Sequence, residues 1–173
     1  MALSVIRKMC YVALCSALLA SCGFRPLYAP IQYADGTSAL DDVWIETIPN
    51  ENGIILRNYL LDSFYSNGYP ERARYNLKIT LWESVRNADI QRNDTTTRVQ
   101  LVVLANYTLQ DRVTNQVIES KQIRSLVNYN ILLSNYTTLV THKDARDRGL
   151  RDIADKIQTR ISMVLGDLAQ HTE

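Results

Sequence analysis

Tyr75-Asn76-Leu77-Lys78-Ile79-Thr80-Leu81-Trp82-Glu83-Ser84-Val85 is the stretch that decides the fold class. Leu77, Ile79, Leu81 and Val85 recur with a period of two, while Asn76, Lys78, Thr80, Trp82 and Ser84 point the other way. That alternation is the signature of a strand with one buried face. After a polar segment, 86–94, a second alternating run places Val99, Leu101, Val103, Ala105, Tyr107 and Leu109 on a shared face. A turn at Val113-Thr114-Asn115-Gln116 leads into a third β-branched run, 117–129, whose alternation is broken by Glu119 and Lys121. Inward charges suit an edge strand antiparallel to its neighbour, where they discourage aggregation.

Upstream, Val43-Trp44-Ile45-Glu46-Thr47-Ile48 reads as a short strand stopped by Pro49-Asn50. Asn50 can then cap a helix over about residues 51–67, in which Ile55, Leu56, Tyr59, Leu60 and Phe64 recur at helical spacing before Asn67-Gly68. Near the C-terminus, Leu150, Ile153, Ala154, Ile157, Ile161, Val164, Leu165 and Leu168 form one stripe opposite Arg151, Asp152, Asp155, Lys156, Gln158 and Arg160. His142, Lys143 and Arg146 are expected ahead of this second helix. The order is strand, helix, three strands, helix. It predicts an α+β fold, a two-layer α/β sandwich with both helices packed on one face of a four-stranded sheet.

With 173 residues, 46% of them apolar, six Gly and four Pro, the chain has room for one ordinary domain with a real core. Its formal charge is +1 and it has no basic block, so it lacks a nucleic-acid footprint. Arg7-Lys8 precede a twelve-residue apolar stretch, Met9 to Ala20, too short for the roughly 20 residues of a membrane span. A charged start, an apolar centre and small residues before a cleavage point make a secretory signal over residues 1–21. Leu19-Ala20-Ser21-Cys22 resembles the bacterial lipoprotein signal. That resemblance implies cleavage before Cys22, a diacyl thioether on its sulfur and acylation of the new amino group. Cys10 and Cys15 would leave with the signal, so Cys22 would remain as the mature chain's one cysteine, without a disulfide partner. Residues 22–42, with Pro26, Pro30 and Gly36 and no period of either kind, read as a lipidated tether, and residues 43–170 as a single domain.

The residue types that carry catalysis are not arranged for it. His142 and His171 stand outside any metal-ligand spacing and read as solvated surface residues. No serine lies in a Gly-x-Ser-x-Gly elbow or a Ser-x-x-Lys motif, and there is no phosphate-cradling glycine loop. Asp41-Asp42 and the mixed charges of 143–148 read as capping and solvating residues. The expectation is a non-enzymatic protein with no catalytic residues, no metal and no cofactor, acting through its surfaces. Two surface features stand out. Tyr28, Tyr33, Tyr59, Tyr65, Tyr69, Tyr75, Tyr107, Tyr129 and Tyr136 suit wet protein interfaces. Arg86 and Arg92 between the second and third strands, and Lys143 with Arg146 before the last helix, can pair with phosphate or carboxylate on a glycolipid.

Cys22-Gly23-Phe24-Arg25-Pro26-Leu27-Tyr28 resembles the mature start of the lipopolysaccharide (LPS)-assembly lipoprotein family, LptE, in its alphaproteobacterial form. The family's strand, helix, three strands, helix order also matches the order derived above. The resemblance implies a lipid-anchored protein on the periplasmic side of the outer membrane, held there through acylated Cys22. Its partners would be the outer-membrane barrel LptD, which it plugs, and LPS, which it binds and helps to assemble. Gly23, rather than Asp, after the cysteine fits that placement. The family's basic turn is matched by Arg92-Asn93-Asp94 and its Lys-Asp pair by Lys143-Asp144, which makes Arg92 and Lys143 the expected LPS contacts. Asp94 departs from the family's glycine and sets an anion beside Arg92. The competing expectation is a generic envelope lipoprotein, an accessory subunit of a transporter or a periplasmic protein-binding scaffold.

Overall fold

The computed structural model describes residues 38–65, 68–70, 72–89, 97–131 and 135–170. Strands β1 (Val43–Ile45), β2 (Tyr75–Asp89), β3 (Thr97–Asp111) and β4 (Val117–Ile131) form one sheet in the order β1-β2-β3-β4. β1 lies parallel to β2, with Ile45 opposite Leu77, and helix α1 (Asn50–Phe64) connects them. β2, β3 and β4 form an antiparallel meander that leads into helix α2 (Asn135–Gln170). This is the expected α+β architecture. β4 is an edge strand antiparallel to β3, as its inward charges suggested.

The strand register builds the core. Leu77 faces Leu109, Ile79 faces Tyr107 and Leu101 faces Val127 across neighbouring strands, so the alternating apolar residues share one inner face. α2 packs on β3 and β4 and buries Leu150, Ile153, Ile157, Ile161 and Leu165. α1 lies against α2, β1 and β2 and buries Leu56, Leu60 and Phe64. Gln158 Nε2 donates to the carbonyl of Ser63 at 3.0 Å and ties the two helices together. Both helices therefore cover the same side of the sheet.

Several boundaries differ from the sequence expectation: β1 ends at Ile45 and not at Ile48, and α1 ends at Phe64 and not near residue 67. α2 starts at Asn135, so His142, Lys143 and Arg146 lie within the helix and not ahead of it. Its buried residues in that region are small, Ala145 and Gly149, which give no apolar period to read. At the start of the domain, Ala39–Asp42 form a 3-10 turn in a capping box: Ser38 Oγ accepts from Leu40 N–H at 3.3 Å, and Asp41 Oδ2 accepts from Ser38 N–H at 3.2 Å. Ala39 and Leu40 are buried in the core, so the folded unit includes residues assigned above to the tether. At α1, Pro49 occupies the cap position without a side-chain bond, and Asn50 takes φ 70°, a left-handed conformation that Asn tolerates. Asn50 turns the chain into the helix; it does not cap it.

Gly53 brings α1 down onto the preceding loop. A Cβ there would sit 2.7 Å from Ile48 Cγ2 and 2.8 Å from the Ile48 carbonyl oxygen. Gly53→Ala is expected to destabilise by about 1–3 kcal/mol through overpacking, against a helix-propensity gain of about 1 kcal/mol. Gly149→Ala would meet side chains alone, the Val103 methyl at 3.0 Å and the Val127 methyl at 3.5 Å, and should cost less. Thermal denaturation of the two variants tests the ranking.

Candidate functional site

Glu83 occupies an inward position of β2, opposite Val103, where the alternation would place an apolar residue. Its carboxylate is the hub of the upper core. Arg146 of α2 donates through Nε at 2.8 Å and Nη2 at 2.9 Å, a bidentate pair. Asn52 of α1 donates to the same carboxylate at 2.9 Å, and His142 Nε2 lies 3.5 Å away. The His142 ring stands edge-on to Tyr129, with centroids 5.4 Å apart. Instead of the expected solvated surface residue, His142 is half-buried between a carboxylate and an aromatic ring. Donating to the Glu83 carboxylate pushes the Arg146 guanidinium above its ordinary value. This network fixes the N-terminal half of α2 to the end of the sheet.

The network separates two basic residues that the sequence grouped together. Arg146 is committed to Glu83. Lys143 is exposed on the face of α2 turned away from the sheet, where Tyr136 (77% exposed), Leu139 (68%) and Val140 (48%) also lie. Spacings of three and four residues align these four side chains along one helix face. An apolar stripe ending in a cation is the result. Arg86 lies within β2 and is exposed, not in a connecting turn. Arg92, Cys22 and His171 lie outside the described residues. Among the described residues, no group of three His, Cys, Asp or Glu is placed to hold a metal ion.

At the other end of the sheet, Glu119 of β4 forms a second inward network. It accepts from Tyr107 Oη at 2.6 Å, from Arg160 Nη2 at 2.7 Å and from Lys121 Nζ at 2.8 Å. Burial pushes the Glu119 carboxyl up, but the bonds from Arg160, Lys121 and Tyr107 outweigh it and bring the carboxyl down to about 2. Tyr107 shifts upward, chiefly by burial. Between the two networks, Ser125 Oγ donates to Asp152 Oδ2 at 2.6 Å, and Lys156 Nζ reaches the same oxygen at 2.6 Å.

Most described tyrosines hold the fold together, contrary to their expected interface role. Tyr59 donates to Asp147, Tyr65 to the Val43 carbonyl and Tyr107 to Glu119, while Tyr75 and Tyr129 are buried. Burial pushes Tyr65 up to about 12. Only Tyr69 and Tyr136 are exposed among the described tyrosines. The exposed aromatic residues that sequence reasoning passed over are Trp44 and Trp82, both on the outer sheet face. Trp82 falls among the outward polar residues of the 75–85 alternation, and that position was the available signal.

Paired charges lie inside the fold, and an apolar-cationic helix face and a sheet face are exposed outside it. Residues 40–161, more than half of the chain, match the family model LptE, described as lipopolysaccharide-assembly, and the chain belongs to this family. The family is non-enzymatic. Among curated proteins there is no match. Solved structures share the fold. A lipoprotein from Caulobacter crescentus is 19% identical, with a TM-score of 0.55 over 75% of this chain and 93% of that one. Lipoprotein B from Nitrosomonas europaea is 15% identical, with a TM-score of 0.56 over 75% and 86%. A protein from Xanthomonas campestris is 11% identical, with a TM-score of 0.54 over 84% and 93%. No described helix is long and apolar enough to cross a membrane.

Glu119 gives the domain a defined acid sensitivity. Because its folded value, about 2, lies below the ordinary 4.5, its stabilisation is complete above the ordinary value and is lost as pH falls through the folded one. Glu119→Gln should flatten the loss of stability between pH 4.5 and about 2 in denaturant titrations, while lowering stability at neutral pH.

Proposed function

We propose that this chain is a lipid-anchored plug of the LptD barrel that binds LPS and helps to assemble it at the outer membrane. Family membership supports the role. The observation that carries LPS binding is the exposed helix face of Tyr136, Leu139, Val140 and Lys143, an apolar surface ending in a cation. An anionic glycolipid carries the matching chemistry, acyl chains beside phosphate.

The anchor is Cys22, exposed as the new N-terminus when residues 1–21 are removed. At about 0.8 kcal/mol per buried methylene, one acyl chain binds a membrane marginally and two or three hold firmly. The sixteen residues from Cys22 to Thr37 can reach at most about 55 Å, enough for a domain that starts at Ser38 to enter a barrel from the periplasmic side. Mass spectrometry of the membrane-extracted chain should show an N-terminus at Cys22 bearing a diacylglycerol thioether and an N-acyl group.

No bond is made or broken in the transport role. Lys143 and Arg92 compete with divalent cations for LPS phosphates, which loosens aggregates so that single molecules pass. Charge reversal of both, Arg92→Glu with Lys143→Glu, should weaken LPS binding by about tenfold or more while leaving association with the barrel unchanged. Unchanged LPS binding in a vesicle or micelle titration would refute the assignment.

A further inference from the structure

One end of the domain joins the anchor. Val43, Tyr75 and Asp111 share a row of the sheet, and from this row the chain runs back through the 3-10 turn to Ser38. β2 runs fifteen residues from the same row to Asp89, about 45–50 Å at about 3.3 Å per residue. The sixteen residues from Cys22 to Thr37 reach at most about 55 Å. The far end can therefore touch a bilayer that holds Cys22 only with those residues drawn out almost straight. The near end can touch it over most of their reach.

The tip of the near end is built from the β3–β4 turn and the chain leading into β2. Arg112 joins the two: its N–H donates to the Arg74 carbonyl at 2.9 Å and its Nη1 to the Ala73 carbonyl at 3.2 Å. Asp111 is buried and accepts from Arg74 Nε at 3.1 Å and from the N–H groups of Val113 and Thr114 at 2.7 and 3.0 Å. These bonds fix a turn from which Val113 (80% exposed) and Val117 (58%) project. Tyr69 (64% exposed) stands at the same end, its ring 5.8 Å from that of Tyr65, whose hydroxyl donates to the Val43 carbonyl. Arg72 and Arg112 are exposed beside them. Of the other described acids at this end, Glu119 faces inward, Asp41 and Asp42 lie on the 3-10 turn, and Asp62 and Asp167 lie on the helices. Cations and apolar side chains thus share the turn side, apart from the acids.

Separate apolar side chains on a fixed turn, with arginines among them, lack the compact centre of a protein hot spot. They suit a lipid surface, which takes apolar side chains between headgroups and cations at phosphate level. We infer that this tip rests on an anionic phospholipid bilayer, with Tyr69, Val113 and Val117 entering between headgroups and Arg72 and Arg112 meeting lipid phosphates. The inference rests on the acyl-anchor reading of Cys22. It adds a second contact, made by the protein itself, that turns Tyr136 and Lys143 away from the bilayer surface.

The test uses the full acylated chain, in which an introduced cysteine is the one reactive thiol. A fluorophore is placed singly by Gln116→Cys at the tip, Leu139→Cys at the far end and Thr80→Cys on the outer sheet face. The chain is reconstituted in vesicles of phosphatidylglycerol and phosphatidylethanolamine with brominated acyl chains. The expected result is strong quenching at 116, little at 139 and 80, and loss of quenching at 116 in about 1 M salt or in phosphatidylcholine vesicles. Arg72→Gln with Arg112→Gln should lower the ratio of bound to unbound tip by about 20-fold at low salt, about fivefold per cation. Val113→Ser, which keeps the Arg112 bonds, should lower it by about fivefold. Equal quenching at 116 and 139, quenching mainly at 139 or 80, or indifference to lipid charge and salt would overturn the inference and leave the anchor in place. If mass spectrometry finds no acyl groups on the chain, the anchor reading fails and this inference with it.

Discussion

Two helices can cover only one face of a four-stranded sheet, and the rest of the molecule follows from that constraint. The stripe from Leu150 to Leu165 on α2, with Leu56, Leu60 and Phe64 on α1, buries the inner face of β2, β3 and β4. Apolar burial of this kind is the dominant favourable term in folding. It fixes the side of the sheet on which every polar residue of the strands must find a partner. Inward Glu83 and Glu119, at opposite ends, are each bound by an arginine from α2. A half-buried carboxylate without such a partner would be strongly destabilising.

The same constraint separates structural charges from exposed ones. Arg146 and Arg160 are committed to inward carboxylates, while Lys143, three residues from Arg146, is directed away from the sheet. Surface pairs such as Arg148 with Asp144 and Arg151 with Asp147 lie along the helix at four-residue spacing and contribute little to stability. On the uncovered side of the sheet, the amides pair with one another and the cations do not meet inward acids. The ionisable interior therefore serves the fold.

The sheet and both helices were legible because long alternating and helical periods dominate residues 75–85, 99–109 and 150–168. The N-terminal half of α2 was not, since Ala145 and Gly149 pack by smallness and Arg146 by a long-range ion pair with Glu83, sixty-three residues away. The 3-10 turn at Ala39–Asp42 is too short to show a period. Tyrosine composition pointed to an interface, but hydrogen bonds from Tyr59, Tyr65 and Tyr107 to distant residues made them internal fasteners. Trp82 shows the converse: its outward register was visible in the sequence, but its apolar neighbours come from two other strands. Such neighbourhoods exist only once strand pairing is known.

The central claim is that this non-catalytic domain works as the seated partner of one barrel. Affinity purification of the full-length tagged chain from detergent-solubilised outer membranes tests it most directly. The expected result is an equimolar complex with the LptD barrel that persists in about 1 M salt, where exposed charge pairs are screened. Recovery of the chain alone, or with several substoichiometric proteins and no barrel, would contradict it.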